Sequence, residues 1–168
     1  MSDPASFAPL RERALGLLAR REHGVKELER KLVAKGADRE LAREVVEELA
    51  TRGLVSDERY AAAYAREAIR RRPRARRLLV AELAERRVPA VLAARVVDET
   101  FAEAGVDDAS LALRMAEARA ARLAELPPEA RRGRLGRWLQ SRGFAPGLIV
   151  ETCARVVGEP SADRDPGA

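Results

Sequence analysis

Arg70, Arg71, Arg72, Arg74, Arg76 and Arg77 flank Pro73 within eight positions, with no acidic residue among them. A guanidinium offers forked N–H donors that match phosphate or carboxylate oxygens in pairs. Cations this dense repel one another, and an anionic partner relieves the repulsion. Successive residues of a helix point about 100° apart, so the run wraps a junction between two helices and is not one flat stripe. It fits either the solvated face of an arginine-rich chain or contact with an anionic surface. It does not choose between a phosphate backbone and an acidic protein face. A second group, Arg131, Arg132, Arg134 and Arg137, stands at the matching helix of a later repeat, whereas the first copy interleaves Lys26, Arg30 and Lys31 with Glu27 and Glu29.

For catalysis the chain is nearly empty. Its one histidine, His23, and one cysteine, Cys153, lie 130 residues apart, which offers neither a metal cluster nor a nucleophile beside a base. Adjacent carboxylates such as Glu47 and Glu48 sit in an ordinary charged helical pattern. No metal, cofactor or enzymatic activity is expected. Gly133 and Gly136 inside a helical stretch lack the Gly-Lys-Ser/Thr of a phosphate loop and suggest tight helix packing ahead of close approach by a partner. Trp138, the only tryptophan, fits a partly buried core position better than a base-stacking one. Tyr60 and Tyr64, spaced i, i+4, should pack together; His23 beside Gly24 reads as a surface or capping residue, and Cys153 as a small core hydrophobe.

The elements that must carry these residues are helices. Of 168 residues, 46% are hydrophobic but only 4% aromatic, so the apolar mass is Ala, Leu and Val, suited to narrow helix–helix contacts. Abundant Ala, Leu, Arg and Glu favour helix because they lose little rotamer freedom there. The net charge is +5, a weak bias toward an anionic partner. A single thiol forms no internal disulfide, which suits a reducing compartment. Met1 to Pro9 has no basic start followed by an apolar stretch, and no apolar run approaches the ~18 residues of a membrane span. A cytoplasmic chain without a membrane partner is expected.

One apolar phrase recurs three times: Leu28, Leu32, Leu41, Val45, Val46; then Leu79, Leu83, Leu92, Val96, Val97; then Leu135, Leu139, Leu148, Thr152, Cys153. The offsets are 51 and 56 residues, the signature of an array of helical units. Helices are predicted over 9–21, 25–35 and 39–52; from Ser56 to Pro73, from Pro73 to Arg86 and from Pro89 to Phe101; then over 109–125, 128–142 and 146–157. Asp38 and Ser56 are the expected N-caps, and Gly36, Gly53 and Gly143 the stops. The fold class is therefore all-α, three tandem three-helix repeats of helix-turn-helix type. They occupy 9–54, 55–102 and 103–157, with a flexible arm over 1–8 and a disordered tail over 158–168. Their charges are +2, +4 and +2 over 10–53, 56–102 and 103–157.

Two segments carry a resemblance. Residues 14–36, ALGLLARREHGVKELERKLVAKG, hold a short helix, a polar break and an ELxxKLxxKG helix at Glu27, Leu28, Lys31, Leu32, Lys35 and Gly36. Residues 53–71, GLVSDERYAAAYAREAIRR, follow a GL-DDERFA pattern at Gly53, Leu54, Ser56, Asp57, Glu58, Arg59, Tyr60 and Ala61. Together they resemble the RecX family, bacterial regulators of the RecA recombinase, with the match running from about Leu10 to Phe101. The third repeat keeps Arg142, Gly143 and Phe144 where the family has KGF, and the second has Arg86, Arg87 and Val88, without the glycine.

The resemblance implies an elongated, curved, modular molecule that lies in the groove of the RecA–DNA filament. It implies inhibition of RecA ATP hydrolysis and strand exchange in recombination and DNA repair, with direct contact to single- or double-stranded DNA in some members. The expected contact surface is Arg70, Arg71, Arg72, Arg74, Arg76 and Arg77 with Arg131, Arg132, Arg134 and Arg137, joined by Arg59. The expected partner is the RecA nucleoprotein filament, met by a monomer. A basic helical protein that binds DNA without RecA is the alternative, and a purely protein–protein adaptor a third reading.

Overall fold

The computed structural model describes residues 4–158, with side chains from Ser6 onward. Nine helices and no strand occur among them: α1 (Pro4–Leu18), α2 (Val25–Ala34), α3 (Arg39–Thr51), α4 (Asp57–Arg71), α5 (Arg76–Glu85), α6 (Ala90–Glu103), α7 (Asp108–Ala121), α8 (Pro128–Ser141) and α9 (Pro146–Val157). They form three tandem three-helix repeats. By packing, the chain divides into two units, one of Met1–Glu67 with Val80–Thr100, the other of Ala68–Leu79 with Phe101–Ala168. Helices α4, α5 and α6 each contribute residues to both.

In the first unit, α1, α2 and α3 pack on one another and bury Leu10, Ala14, Leu28, Leu32, Ala42, Val45, Val46 and Leu49. These are the apolar positions at helical spacing in the sequence. Asp38 caps α3 as expected, its Oδ1 accepting from the Glu40 and Leu41 amides at 2.9 and 3.0 Å. The Ser56 hydroxyl accepts from the Arg59 amide at 3.3 Å. The start of α2 is closed from the next repeat, where Asp57 Oδ1 accepts the Val25 amide at 2.8 Å. Gly24 makes room for this, since a Cβ there would stand 3.0 Å from Asp57 Oδ1 and 3.1 Å from the Tyr60 ring.

His23, expected at the surface, is instead only 2% exposed. Its Nδ1 lies 3.0 Å from Glu27 Oε2. Glu27, itself 8% exposed, also accepts from Arg21 at 2.5 and 3.2 Å and lies 3.6 Å from Lys31 Nζ. His23 lies just before the extended N-cap Gly24 and Glu27 in the first turn of α2, and the hydrogen bonding between them makes their burial tolerable.

In the second unit, α7, α8 and α9 pack together and bury Leu111, Ala112, Met115, Ala116, Leu135, Leu139, Thr152 and Cys153. Asp107 and Ser110 form a capping box at the start of α7. Cys153 is a core hydrophobe as expected, and burial pushes its thiol pKa up, away from the reactive thiolate. Gly133 and Gly136 are not forced by close packing: a Cβ at either would meet its nearest neighbour at an ordinary 3.6 Å.

Four boundaries differ from the sequence reading, one of them the end of α1, at Leu18 and not at Arg21. Helix α1 starts at Pro4, so Pro4–Ala8 are helical rather than a loose arm. Pro9 lies inside this helix, past the first turn, and leaves the Ala5 carbonyl without its i→i−4 bond. Helix α7 ends at Ala121, not near Glu125. Helix α5 starts at Arg76, not at Pro73, which lies in a linker over 72–75. The tail reading for 159–168 lies outside the described residues.

The stop after the second helix of each repeat needs a left-handed residue. Gly36 and Gly143 supply it with φ of 91° and 83°, and Arg87 takes the same place at 69°. The second repeat thus makes this turn without a glycine, at a steric cost of roughly 1–2 kcal/mol. At Gly143 a Cβ would also stand 2.5 Å from Leu78 Cβ.

Arg87→Gly should raise unfolding free energy by about 0.5–1 kcal/mol, whereas Gly143→Ala should lower it by about 3 kcal/mol, both read from urea denaturation. Equal effects at the two positions would contradict the assigned geometry.

The buried cluster predicts an acid limb. Burial favours a neutral His23 and lowers its pKa below the ordinary 6.5. Burial alone would raise Glu27, but the hydrogen bonds from Arg21 and His23 prevail and hold it at about 2, against an ordinary 4.5. Both groups bind protons more weakly in the folded chain, so stability falls as pH drops, below 6.5 for His23 and from 4.5 down to about 2 for Glu27. Glu27→Gln should cost about 2 kcal/mol at neutral pH and flatten the lower part of that limb in a pH series of denaturation curves. An unchanged slope below pH 4.5 would count against the cluster.

A basic, tryptophan-centred cavity as candidate interface

The linker over 72–75 is held by its own backbone. The Ala75 amide donates to the Arg142 carbonyl at 2.9 Å, at the C-terminal end of α8. The Arg76 amide donates to Asp108 Oδ1 at 3.0 Å, at the start of α7. Asp108 therefore caps α5 as Asp57 caps α2, and it also faces Arg76 Nε at 3.6 Å. The Arg76 guanidinium lies 5.9 Å from the centre of the Phe101 ring. Arg77 donates through Nε to the Gly143 carbonyl and through Nη2 to the Phe144 carbonyl at 3.2 Å.

These bonds set the end of α4 and the linker against α7 and α8, leaving an open, solvent-facing cavity of about 500 Å³. Its walls carry six arginines: Arg71, Arg72 and Arg74 from the α4 end and linker, Arg119 from α7 and Arg122 just past its end, and Arg142 just past the end of α8. Met115, Ala118, Pro73 and Trp138 complete the lining, and no carboxylate is among the described residues that form it. Arg119 and Arg122, three apart, fall on one helical face. The guanidinium carbons of Arg119 and Arg142 stand 5.5 and 5.3 Å from the Trp138 ring centre, within cation–π range. Arg119 Nε is buried and has no hydrogen-bond acceptor among the described residues. Such a site can hold phosphate or carboxylate oxygens on N–H edges beside an apolar floor.

The arginine runs of the sequence separate here. Arg71, Arg72 and Arg74 face the cavity. Arg70 is exposed in the last turn of α4, while Arg76 and Arg77 hold neighbouring elements together. Arg131 donates to the Ala124 and Leu126 carbonyls at 3.0 and 3.2 Å, closing the turn after α7. Arg132 donates to the Gly158 carbonyl at 2.6 Å, at the end of α9. Arg134 and Arg137 are exposed on α8 and do not line the cavity. Arg59, in the first unit, pairs with Glu22 at 3.0 Å. Arg119, Arg122 and Arg142 were not read as contact residues from sequence, because none sits in an arginine run. The i, i+3 spacing of the first two before the Trp138 helix was the available signal.

Tyr60 and Tyr64 pack at 6.2 Å between ring centres, as their spacing suggested. No group of histidine, cysteine or carboxylate side chains suited to a metal ion occurs among the described residues. No described helix is long and apolar enough to cross a membrane.

Comparison with known proteins covers nearly the whole chain. Residues 11–49 match the family description "RecX, first three-helix domain", 56–97 the second and 107–152 the third. A protein named Regulatory protein RecX from Pelodictyon phaeoclathratiforme is 34% identical over 152 residues, covering 90% of this chain and 91% of that one. One of the same name from Chlorobaculum tepidum is 34% identical over 156 residues, covering 92% of each. The crystal structure of RecX from Lactobacillus salivarius superposes with a TM-score of 0.72 at 17% identity, over 90% of this chain and 97% of that one. With all three domains matched in order and full-length relatives above 30% identity, the chain belongs to the RecX family of regulatory proteins.

Proposed function

We propose that this chain is a non-enzymatic regulator that binds the RecA–DNA filament and restrains RecA ATP hydrolysis and strand exchange during recombination and DNA repair. The observation that carries the reading is the match of all three RecX domains, in order, along one chain. Three linked modules suit a partner that is itself a repeating helix, since each bound module raises the effective concentration of the next. The cytoplasm, where RecA and DNA are found, is the corresponding location, and a monomer the corresponding state.

A second reading, DNA binding without RecA, is favoured by one observation, the six-arginine cavity with tryptophan in its wall. Salt dependence separates the two. Six phosphate contacts would make log affinity for DNA alone fall against log salt with a slope of about −4 to −5.

Purified chain added to RecA on single-stranded DNA should lower the ATPase rate progressively, and DNA alone should bind far more weakly than the filament. No inhibition at any excess would overturn the regulator reading. Tight, steeply salt-dependent binding to DNA alone would favour the second.

A further inference from the structure

The first repeat carries a charged groove of its own, built from α2 and α3. Lys26, Glu29, Arg30 and Val33, at i, i+3, i+4 and i+7, share one face of α2. With Arg39, Glu40 and Arg43 from the first turns of α3 they line an open groove of about 390 Å³. Its two carboxylates are already taken. Lys26 Nζ donates to both oxygens of Glu29 at 2.9 and 2.8 Å, and Arg43 Nε donates to Glu40 Oε2 at 3.1 Å. Arg30 and Arg39 are exposed and make no hydrogen bond or ion pair among the described residues. The groove therefore holds two uncommitted guanidinium groups, one from each helix, with half-buried Val33 as its apolar surface. The start of α3 adds no anion site of its own, because the Asp38 carboxylate already accepts the Glu40 and Leu41 amides.

A guanidinium takes a carboxylate on two parallel N–H bonds. Two such groups beside an apolar surface suit a segment that carries acidic side chains on either side of an apolar one. A nucleic-acid backbone suits the groove less. Its phosphates follow one another at short fixed spacing, and Glu29 and Glu40 line the path of that unbroken negative charge. A peptide aims each carboxylate separately and leaves the two glutamates in their pairs. We infer that the α2–α3 groove is a docking site for an acidic segment of a partner protein, with its carboxylates on Arg30 and Arg39 and an apolar side chain on Val33. Lys26 and Arg43 are positioning residues here, keeping Glu29 and Glu40 neutralised. The inference stands on the groove alone and does not depend on the regulator reading.

The full chain is titrated with a labelled short peptide that has glutamates on both sides of a single leucine. Fluorescence anisotropy reads the affinity, and NMR follows the Val33 methyl resonances. The peptide should bind saturably and shift those methyls. Arg30→Ala with Arg39→Ala, both exposed and needing no repacking, should weaken binding at least about tenfold, the loss of one to two charge-assisted contacts. Arg20→Ala with Arg155→Ala removes the same charge from exposed positions elsewhere and should leave the affinity within about twofold. An equal loss in the two double variants, or binding that leaves the Val33 methyls unmoved, would overturn the proposal, since net charge and not the groove would then carry the peptide. Absence of saturable binding would overturn it outright. Displacement of the peptide by an oligothymidylate whose own affinity falls equally in the Arg30→Ala, Arg39→Ala variant would reassign the groove to nucleic acid. Self-association without peptide that the same variant abolishes, read by sedimentation, would reassign it to a second copy of the chain. The titration contains no RecA, so its failure leaves the filament reading standing, and a failed ATPase assay leaves the groove standing.

Discussion

A carboxylate at the first position of one repeat closes the second helix of the repeat before it. Asp57 Oδ1 takes the Val25 amide and Asp108 Oδ1 takes the Arg76 amide, and the two pairs stand the same 51 residues apart. Each bond satisfies an amide that a helix start leaves without a partner and places an anion at the positive end of the helix dipole. The rest of the local architecture follows from where these bonds lie. Gly24 is required beneath the first, and in the second unit the linker over 72–75 is carried against the end of α8, where the Ala75 amide meets the Arg142 carbonyl.

The arginines divide by what surrounds them. In the first unit many meet acids across the surface: Arg11 with Glu48, Arg59 with Glu22, Arg95 with Glu58 and Arg43 with Glu40. Exposed pairs of this kind contribute about 0–1 kcal/mol each and serve solubility as much as stability. The exception is Glu27, which is buried and shared by Arg21, His23 and Lys31. In the second unit, Arg76, Arg77, Arg131 and Arg132 act on carboxylates and carbonyls of the fold itself. At the cavity, the Arg119 and Arg142 guanidinium groups are gathered on the Trp138 indole.

The helical repeat was legible in sequence because apolar spacing and caps are local. The recurring leucines, Asp38 and Ser56 mark their helices without knowledge of any neighbour. The exceptions were set by tertiary contacts. Pro73 looks like a helix start, yet the amides that would continue the helix are drawn to Asp108 and Arg142. His23 beside a glycine looks exposed, yet Glu27 one turn later makes its burial tolerable. The cavity was half legible. Arg71, Arg72 and Arg74 stand in a visible run, but Arg119, Arg122 and Arg142 reach the same volume from two helices distant in sequence. Runs of like charge draw attention along the chain, while a site is assembled across it. Trp138 is the clearest case: half-buried, as its sequence context suggested, and at the same time a wall of the cavity.

The most direct measurement is electron cryo-microscopy of the full chain on a RecA filament assembled on single-stranded DNA. The chain should lie along the filament with its successive repeats engaged. A chain that does not decorate the filament would contradict the reading of filament regulator.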